Sequence, residues 1–564
     1  MEVISSNLNE AIDILKSIIN KAAFVALDGE FTGINSDESR AFDMFESPAQ
    51  RYQKISKIVQ NFLMIQCGLC VFVPNEDKKS FTAFPFSFYI FPQDDNSGPN
   101  KNGFSCQISS IKFLSQHKFN FNKVFNDGMP YLNSIVEAEC RMKIEEKMKS
   151  MWEKEDEKYN RAKENKYPYQ LSFKIADSDQ QFVKDMIQLI DEWLSDNSKK
   201  ILQFPSCSGY HRKIIYELLY ARCTDKNMLP ETVREESGIY ILAKKLDEKE
   251  KAQAAEEKFK TQLSKLDDAV GFCKVIDILR KANVPVVGHN MLHDILHLVH
   301  QFIAPLPNDY YEFKEIVNTA FPNLYDTKLM ATTEPIKTYF ADSSLAAAEK
   351  RSQKEPFQNV SIEFCKEIDC KDFHEHYHDA GYDAYICGTV FARMLYYYDT
   401  LTEDENGCCN LQSEVLQPFN GKIKMHRMLD IPYLNLSGDD VRPSREHVFV
   451  MRFKEPWPLS KIADYFSAFG GAKPMPVPMD ETSFYIILLN EKESVNVSNK
   501  LVGEFQDFTL QKFESDRLEK TSSAAKRKAD SIVNSPTGQI PAKKEKSEST
   551  VQRFSQNLQN GETI

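Results

Sequence analysis

The sequence predicts an α/β protein whose main domain is interrupted by a small inserted α/β module and followed by an α+β domain and a disordered tail. Apolar strand-like segments alternate with helix-like segments in residues 1–165 and again in residues 247–430. Two highly charged stretches enclose a compact unit at 170–246, as expected for a domain inserted into another domain. Residues 443–515 carry a separate strand and helix pattern, and residues 516–564 are poor in hydrophobic residues.

Length and composition indicate a large folded protein. At 564 residues the chain has room for roughly three or four domains, and 42% hydrophobic residues allow substantial cores. No apolar run approaches the ~20 residues of a membrane span, and the N-terminus lacks the pattern of a secretory signal. Twelve scattered cysteines fit reduced thiols in the cytosol or nucleus. The net charge of −12 excludes a globally basic nucleic-acid binder but not a local basic track.

The first segment, residues 1–165, has the pattern of the opening of a sheet. Residues 6–20 predict an amphipathic helix, because their apolar residues recur at helical spacing. Three apolar segments then predict strands, and they are Phe24–Gly33, Phe62–Phe72 and Phe84–Phe91. Charges alternate from Arg141 to Lys166, which indicates a solvated helix or a linker leading out of the segment.

The inserted module at 170–246 contains two segments of helical periodicity, and Ile239–Leu242 ends it as a strand. The main domain resumes at 247–430. There Val284–Gly288 predicts a short strand, and Met291–Phe302 predicts the helix that follows it. A strand that runs directly into a helix is the unit from which α/β domains are built.

Residues 443–515 predict a ferredoxin-like domain of two helices and four strands, one of them a short strand near Lys473. The tail at 516–564 is dominated by Ser, Lys, Glu and Gln, and we expect it to be disordered. Its two basic clusters, Lys526–Lys528 and Lys543–Lys546, resemble a bipartite nuclear-import signal, and an ordinary solvated tail is the alternative. We therefore expect the protein in the nucleus and the cytoplasm.

Two acids end the first predicted strand. Because side chains alternate faces along a strand, Asp28 and Glu30 point the same way. Two carboxylates on one face repel each other unless a cation neutralises them, and oxygen ligands suit Mg²⁺ or Mn²⁺. The alternative is a strand that ends in a polar turn, for which Asp28-Gly29 is a common signal.

Partner acids lie downstream. Asp294 occupies the first turns of the helix that follows Gly288, and His378 precedes the helix that carries Asp383. Four carboxylates from two helices and a strand could converge on two hard cations, an arrangement that supports phosphoryl transfer. A nearby histidine supplies a base whose pKa is close to neutral.

These spacings, D-x-E, N-x3-D and H-x4-D, resemble the DEDD exonuclease superfamily, in the subtype with a histidine in its third motif. Up to about residue 515 the chain is also similar to the poly(A)-specific ribonucleases, a family of deadenylases. The motifs that carry this resemblance are Asp28-Gly29-Glu30-Phe31, Arg51-Tyr52-Gln53-Lys54, Phe121-Asn122-Lys123-Val124-Phe125, Gly288-His289-Asn290-Met291-Leu292, Asp326-Thr327-Lys328-Leu329-Met330, Ala380-Gly381-Tyr382-Asp383-Ala384-Tyr385 and Asp430-Ile431-Pro432-Tyr433-Leu434-Asn435-Leu436.

The resemblance implies a ribonuclease H-like nuclease domain and a 3′→5′ exoribonuclease that shortens poly(A) and releases 5′-AMP with two Mg²⁺ ions, for which Mn²⁺ can substitute. It implies Asp28, Glu30, Asp294 and Asp383 as metal ligands and His378 as the general base. It also implies a homodimer. Residues that match the family's path for the 3′-terminal nucleotides are Phe31, Ile34, Ile111, Phe113, Lys328 and Leu345. The alternative for each apolar member of this set is a place in the core.

The two smaller units resemble nucleic-acid-binding domains. The inserted module is similar to the single-strand-binding domain named for an Arg-x3-His motif, although Tyr216 replaces the histidine. The unit at 443–515 resembles an RNA-recognition motif, in which alternate aromatics could stack bases, and its candidates are Phe449, Phe453, Phe484 and Tyr485. Pro478 stands where the family has a cap-stacking tryptophan, and proline has no comparable π face, so the sequence does not support cap binding.

Two other functions stay open at this stage. A zinc hydrolase is one, because His289, His293, His297 and His300 recur at helical spacing, but the glutamate of H-E-x-x-H is missing. The irregular cluster of Cys365, Cys370, His374 and His376 fits a solvated loop better than a metal site. The other is a noncatalytic RNA-binding protein that keeps the nuclease fold. The intact acids and histidine favour the enzyme.

Overall fold

The structure is a computed structural model, and it describes residues 1–34, 42–76, 80–92, 103–164, 175–196, 198–223, 228–235, 238–365, 377–401, 414–467 and 474–513. The tail with both basic clusters lies outside these ranges, as do Cys370, His374 and His376. Within these ranges, no helix combines the length and the apolar character that crossing a membrane requires.

The first segment supplies the centre of the main sheet. Its first helix forms because Leu8, Ile12 and Leu15 share one buried face, and Ser47 caps the second helix by accepting a hydrogen bond from the Gln50 amide. In chain order these elements are β1 (Glu2–Val3), α1 (Leu8–Ile18), β2 (Phe24–Phe31), α2 (Pro48–Val59), β3 (Met64–Pro74), β4 (Ser80–Tyr89), α3 (Ile108–Gln116), α4 (Phe121–Asp127) and α5 (Ser134–Glu164).

The inserted unit has its own three-stranded sheet and its own core, in which Trp193, Phe204 and Leu219 are buried. Its elements are α6 (Gln180–Ser195), β5 (Ile201–Gln203), α7 (Gly209–Arg222), β6 (Met228–Glu235) and β7 (Gly238–Lys245). The helix α5 leads into the unit, and α8 (Glu248–Val270) leads out of it and packs beside α5. The two charged stretches are thus largely helical.

The second segment of the main domain continues the alternation of strands and helices. Its elements are α9 (Cys273–Ala282), β8 (Val286–Gly288), α10 (Leu292–Leu298), α11 (Tyr310–Ala320), β9 (Leu324–Asp326), α12 (Thr327–Ala331), α13 (Leu345–Ser352), β10 (Ser361–Phe364), α14 (Ala380–Leu401), β11 (Lys422–Lys424) and β12 (Tyr433–Asn435). The helix predicted for Met291–Phe302 is α10, and it continues as a π-helical turn over Val299–Ile303.

The nine strands of the main sheet run in the order β1-β4-β3-β2-β8-β9-β11-β12, and β10 pairs with β4. The strand β2 is antiparallel to β3 and parallel to β8. Alternate residues of β2 enter two cores: Val25 and Leu27 pack towards α1, α2 and α10, whereas Phe24 and Ala26 pack towards α14. The central strand is therefore buried on both faces over its first half, and its two acids lie at the far end.

The C-terminal domain is a five-stranded sheet with two helices, one strand more than the sequence predicts. The additional strand forms a short hairpin that is closed by a hydrogen bond from the Phe505 amide to the Phe508 carbonyl (2.8 Å). Its elements are β13 (Val448–Phe453), α15 (Leu459–Ser467), β14 (Pro474–Pro478), β15 (Ser483–Leu488), α16 (Ser494–Leu501), β16 (Gly503–Glu504) and β17 (Phe508–Lys512).

Candidate active site

The far end of β2 carries two half-buried acids. Asp28 and Glu30 share one face of the strand, as alternation predicts. The pKa of Asp28 is raised well above its ordinary value, mainly by burial and then by repulsion from Asp294, Asp383 and Glu30. Burial, followed by repulsion from Asp383, likewise raises the pKa of Glu30. Several carboxylates therefore crowd together, and among the described residues no positive charge contributes to the pKa values of Asp28 and Glu30.

Asp294 reaches this end of the sheet from the first turn of α10. Its side chain is buried, and within the described residues its Oδ1 atom has no hydrogen-bond partner. A Cβ atom at Gly29 would lie 3.0 Å from that oxygen, so the glycine lets the carboxylate approach β2 closely. Burial is the largest of the effects that raise the pKa of Asp294 to about 7.

His378 and Asp383 come from the start of α14 and the loop before it. His378 adopts a left-handed conformation (φ 72°), and its amide donates a hydrogen bond to Asp383 Oδ2 (3.0 Å). The intervening Asp379 fixes the loop, because its carboxylate accepts hydrogen bonds from Gln66 Nε2 (2.9 Å) and Ser87 Oγ (2.5 Å). Burial raises the pKa of Asp383 to about 7.

The start of α14 lies very close to the sheet. A Cβ atom at Gly68 would lie 1.8 Å from the Ala380 carbonyl oxygen, a distance that no side chain tolerates. Since Gly68 pairs with Asp28 across β2 and β3, this contact sets His378 and Asp383 next to the acids of β2. Local geometry thus closes a site whose members are more than 300 residues apart in the sequence.

Glu30, His378 and Asp383 each offer a ligand atom, and these atoms lie within 4.8 Å of one another. Asp294, Asp383 and Glu30 each raise the pKa of Asp28, so Asp28 and Asp294 lie close to this group and the structure brings the five predicted chemical residues together. The uncompensated carboxylates and the orphan Asp294 oxygen fit divalent cations, because hard cations prefer oxygen ligands.

The predicted substrate-lining residues fall into two groups. Phe113 is 41% exposed, and its ring centroid lies 4.6 Å from that of His378. Ile34 is also exposed, and its amide bonds to Gln107 Oε1 (3.1 Å). The remaining four are half-buried, and they are Phe31, Ile111, Lys328 and Leu345.

Two of the half-buried residues also contribute to packing. The ring of Phe31 stacks on that of His297, with centroids 4.5 Å apart. Leu345 packs against the core on the α14 side of the sheet. Among the six predicted residues, Phe113 is the one whose ring contacts a predicted chemical residue, His378. The role of all six residues in the substrate path stays a prediction.

Asp326 is a buried site residue whose role sequence reasoning missed. Its carboxylate accepts hydrogen bonds from the backbone amides of Asn290 (3.0 Å), Met291 (3.3 Å), Lys328 (3.0 Å) and Lys424 (3.0 Å). It therefore ties the loop before α10 to the start of α12 and to β11. The available signal was an aspartate directly before Thr327, at the position where helices are capped.

In the described part of the chain, the side chains placed to share a metal ion are those of Glu30, His378 and Asp383. The four histidines of the zinc alternative do not form such a group there. Burial, aided by Lys328, lowers the pKa of His289 to about 3, and its two ring nitrogens contact Thr327 Oγ1 and the Ser343 carbonyl. His297 is buried beside Gln301.

The aromatics proposed for base stacking in the C-terminal domain are all buried, which corrects the expectation that alternate ones are available. Phe449, Phe453 and Phe484 pack under the two helices. Tyr485 lies on the opposite face, where Phe45 of the main domain covers it, with ring centroids 4.7 Å apart. That face is therefore an interface between domains.

A mixed sheet that brings four carboxylates and a histidine to the end of its central strand defines a metal-dependent α/β nuclease. Residues 3–391 match the family described as CAF1 family ribonuclease, and residues 438–517 match an RNA binding domain. The chain belongs to the CAF1 ribonuclease family. Its fold class, an α/β nuclease followed by an RNA-binding domain, is confirmed.

Curated relatives agree with this assignment. The poly(A)-specific ribonuclease PARN of Bos taurus is 35% identical over 517 residues, covering 91% of this chain and 80% of that protein. PARN of Homo sapiens has the same identity and the same coverage. The poly(A)-specific ribonuclease PNLDC1 of Mus musculus is 26% identical, covering 87% of this chain and 90% of its own.

Proposed function

We propose that this protein is a 3′→5′ exoribonuclease that shortens the poly(A) tails of RNA and releases 5′-AMP. The observation that carries the proposal is the convergence of Asp28, Glu30, Asp294, His378 and Asp383 at the end of β2. The names of the relatives that resemble this chain over most of its length support poly(A) as the substrate.

We propose that Asp28, Glu30, Asp294 and Asp383 hold two Mg²⁺ ions, with Mn²⁺ able to substitute. Such cations, when bound, neutralise the crowded carboxylates and stabilise negative charge on phosphate oxygens. The carboxylates must be ionised to serve as ligands, so binding counteracts the effects that raise their pKa values.

His378 is the proposed general base. Burial, and then the nearby His117, lower its pKa, so the ring is neutral at pH 7 and can accept a proton from the attacking water. Beside it, the exposed Phe113 ring can stack on an adenine near the 3′ end. Phe31, Ile34, Ile111 and Leu345 extend the proposed path of the terminal nucleotides, and Lys328 contributes charge that attracts phosphate.

The proposed partner is single-stranded polyadenylated RNA, bound with the help of the C-terminal RNA-binding domain. We also propose a homodimer and a distribution between nucleus and cytoplasm. Cap binding is not proposed, since the exposed Pro478 of β14 offers no aromatic face.

The test is incubation of the full chain with 5′-labelled oligo(A) and Mg²⁺, beside the variant Asp28→Ala. We expect a ladder that shortens from the 3′ end with the parent, no ladder with the variant, and loss of the ladder on addition of a chelator. An exposed acid, Asp127→Asn, is the matched control and should behave as the parent does. Binding without shortening would favour a noncatalytic RNA-binding protein, and rescue by Zn²⁺ alone would favour a zinc hydrolase.

A further inference from the structure

Three aromatic rings meet at the base His378. The ring centroids of Phe113 and His117 lie 4.6 Å and 4.0 Å from that of His378, and they lie 4.5 Å from each other. Each ring of this cluster therefore contacts the other two. Phe113 and His117 belong to α3 and its end, whereas His378 belongs to the loop before α14.

The main chain and the side chain of His378 are fixed by different parts of the fold. The main chain is held by Asp383 and by the hydrogen bonds of Asp379. Within the described residues, the imidazole itself makes no hydrogen bond, so its orientation depends on what packs against it. Beside the carboxylates of Glu30 and Asp383, the rings of Phe113 and His117 pack against it.

His117 is itself held in place. Its Nδ1 atom lies 2.9 Å from the carbonyl oxygen of Phe113, and because a carbonyl only accepts, Nδ1 carries the proton and donates. The helix α3 is in turn anchored to the end of β2, since the Gln107 amide donates to the Thr32 carbonyl (2.8 Å), and by the buried side chain of Leu114. The end of β2 therefore holds α3 in place, and α3 in turn holds the His117 ring against His378.

From this geometry we infer that His117 is a positioning residue for His378, an inference that rests on the proposed exonuclease function. Its ring limits the rotation of the imidazole that accepts the proton. A base must lie within hydrogen-bond reach of the water it activates, and small displacements from that position slow the reaction.

The test compares His117→Ala and His117→Phe with the parent on oligo(A), using the full chain and Mg²⁺. For His117→Ala we expect kcat to fall about fivefold, because the base loses one supporting ring, while KM stays within about twofold. His117→Phe keeps a ring at that position and should recover most of kcat. Gln116→Ala, an exposed neighbour on the same helix, is the matched control and should equal the parent.

Histidine ring NMR signals give a readout that does not depend on catalysis. The signal of His378, assigned by its loss in His378→Asn, should shift in His117→Ala and stay in place in Gln116→Ala. An unshifted signal, an unchanged kcat, or a phenylalanine variant as slow as the alanine variant would each overturn the inference. A rise in KM alone would instead make His117 an RNA contact. Inactivity of the parent would refute the proposed function separately.

Discussion

Two sheets of this protein carry candidate functional residues, and the surroundings of these residues differ between the two sheets. At the end of β2 in the main sheet, acids are crowded together and the Asp294 Oδ1 atom has no partner among the described residues. On the C-terminal sheet, the four candidate aromatics are all packed, and the face opposite its helices is covered by Phe45. The first region leaves a carboxylate oxygen without a hydrogen-bond partner among the described residues, whereas the second buries all four of its candidate aromatics.

The difference shows what separates a chemical site from aromatic side chains that serve packing. Crowded carboxylates destabilise the folded state, so they persist in a protein when a function requires them. Buried aromatics stabilise the fold, so packing alone explains their presence. The covered face is also closely fitted: Asp43 accepts a hydrogen bond from the Tyr485 hydroxyl, and Arg445 donates to the Phe45 carbonyl oxygen (2.7 Å).

The largest expected effect comes from neutralising Asp294, whose Oδ1 atom has no hydrogen-bond partner among the described residues. In Asp294→Asn we expect activity on oligo(A) to fall by more than about a hundredfold, since even the outer partners of a metal site are worth 10–100-fold. Because the substitution removes repulsion among the carboxylates, the metal-free variant should unfold at a temperature equal to or above that of the parent. Activity assays and thermal unfolding with a chelator measure the two effects.

Asp326→Asn is the matched control, because Asp326 is also buried but its carboxylate accepts hydrogen bonds from several backbone amides. An asparagine there turns an NH₂ group towards N–H donors, and the free energy of unfolding should fall by about 1–3 kcal/mol. If Asp294→Asn destabilised the metal-free chain as much as Asp326→Asn does, the contrast between an unsatisfied and a satisfied acid would be wrong.

A smaller effect is expected at the domain interface. The Phe45 ring lies 4.7 Å from that of Tyr485 and 5.1 Å from that of Phe513, and it is almost fully buried. We expect Phe45→Ala to lower the free energy of unfolding by about 3 kcal/mol, as other truncations of buried phenylalanine do. The kcat on short oligo(A) should change by less than about twofold, because the Phe45 ring packs against the C-terminal sheet and not among the five chemical residues.

Met44→Ala is the control for this variant, since Met44 is adjacent and 38% exposed. It should leave both stability and kcat near the parent values. The informative contrary result would be tighter oligo(A) binding by Phe45→Ala in a catalytically inactive background. That outcome would make the covered face an RNA surface masked by the main domain.

Strand alternation and helical periodicity in the sequence predicted the strand and one of the helices that carry the site. Strand alternation placed Asp28 and Glu30 on one face, and helical periodicity located the helix that carries Asp294. The place of His378 on a loop before the helix of Asp383 was also accessible, because a five-residue step between them does not keep both on one helix face, but its left-handed conformation was not. The domain boundaries and the roles of individual site residues stay predictions.

Contacts between distant segments were not accessible from the sequence. The bond between Asp43 and Tyr485 joins residues 442 positions apart, and nothing near Tyr485 signals that its face is covered. The same holds for Asp326, whose hydrogen bonds reach Lys424, and for His117, whose ring meets His378. Periodicity shows that a residue is apolar on a face, but only the assembled fold shows what occupies that face.

The smallest expected effect concerns a buried polar group that lies behind the site. His297 is fully buried under Phe31, and burial lowers its pKa to about 3, against roughly 6.5 in an unfolded chain. As pH falls below about 6.5, His297 therefore binds a proton in the unfolded chain but not in the folded protein. Stability from this group is fully present above that pH and is lost as pH falls towards 3, by at most about 1.4 kcal/mol per pH unit.

The variant His297→Phe keeps the stack on Phe31 and removes the titration. Its unfolding temperature should fall less steeply than that of the parent between pH 6.5 and pH 4.5, while part of the acid sensitivity persists because burial also lowers the pKa of His300, to about 4. Equal slopes in the parent and the variant would mean that His297 takes up its proton without unfolding, and this buried histidine would then tolerate a charge as the crowded acids of the site do.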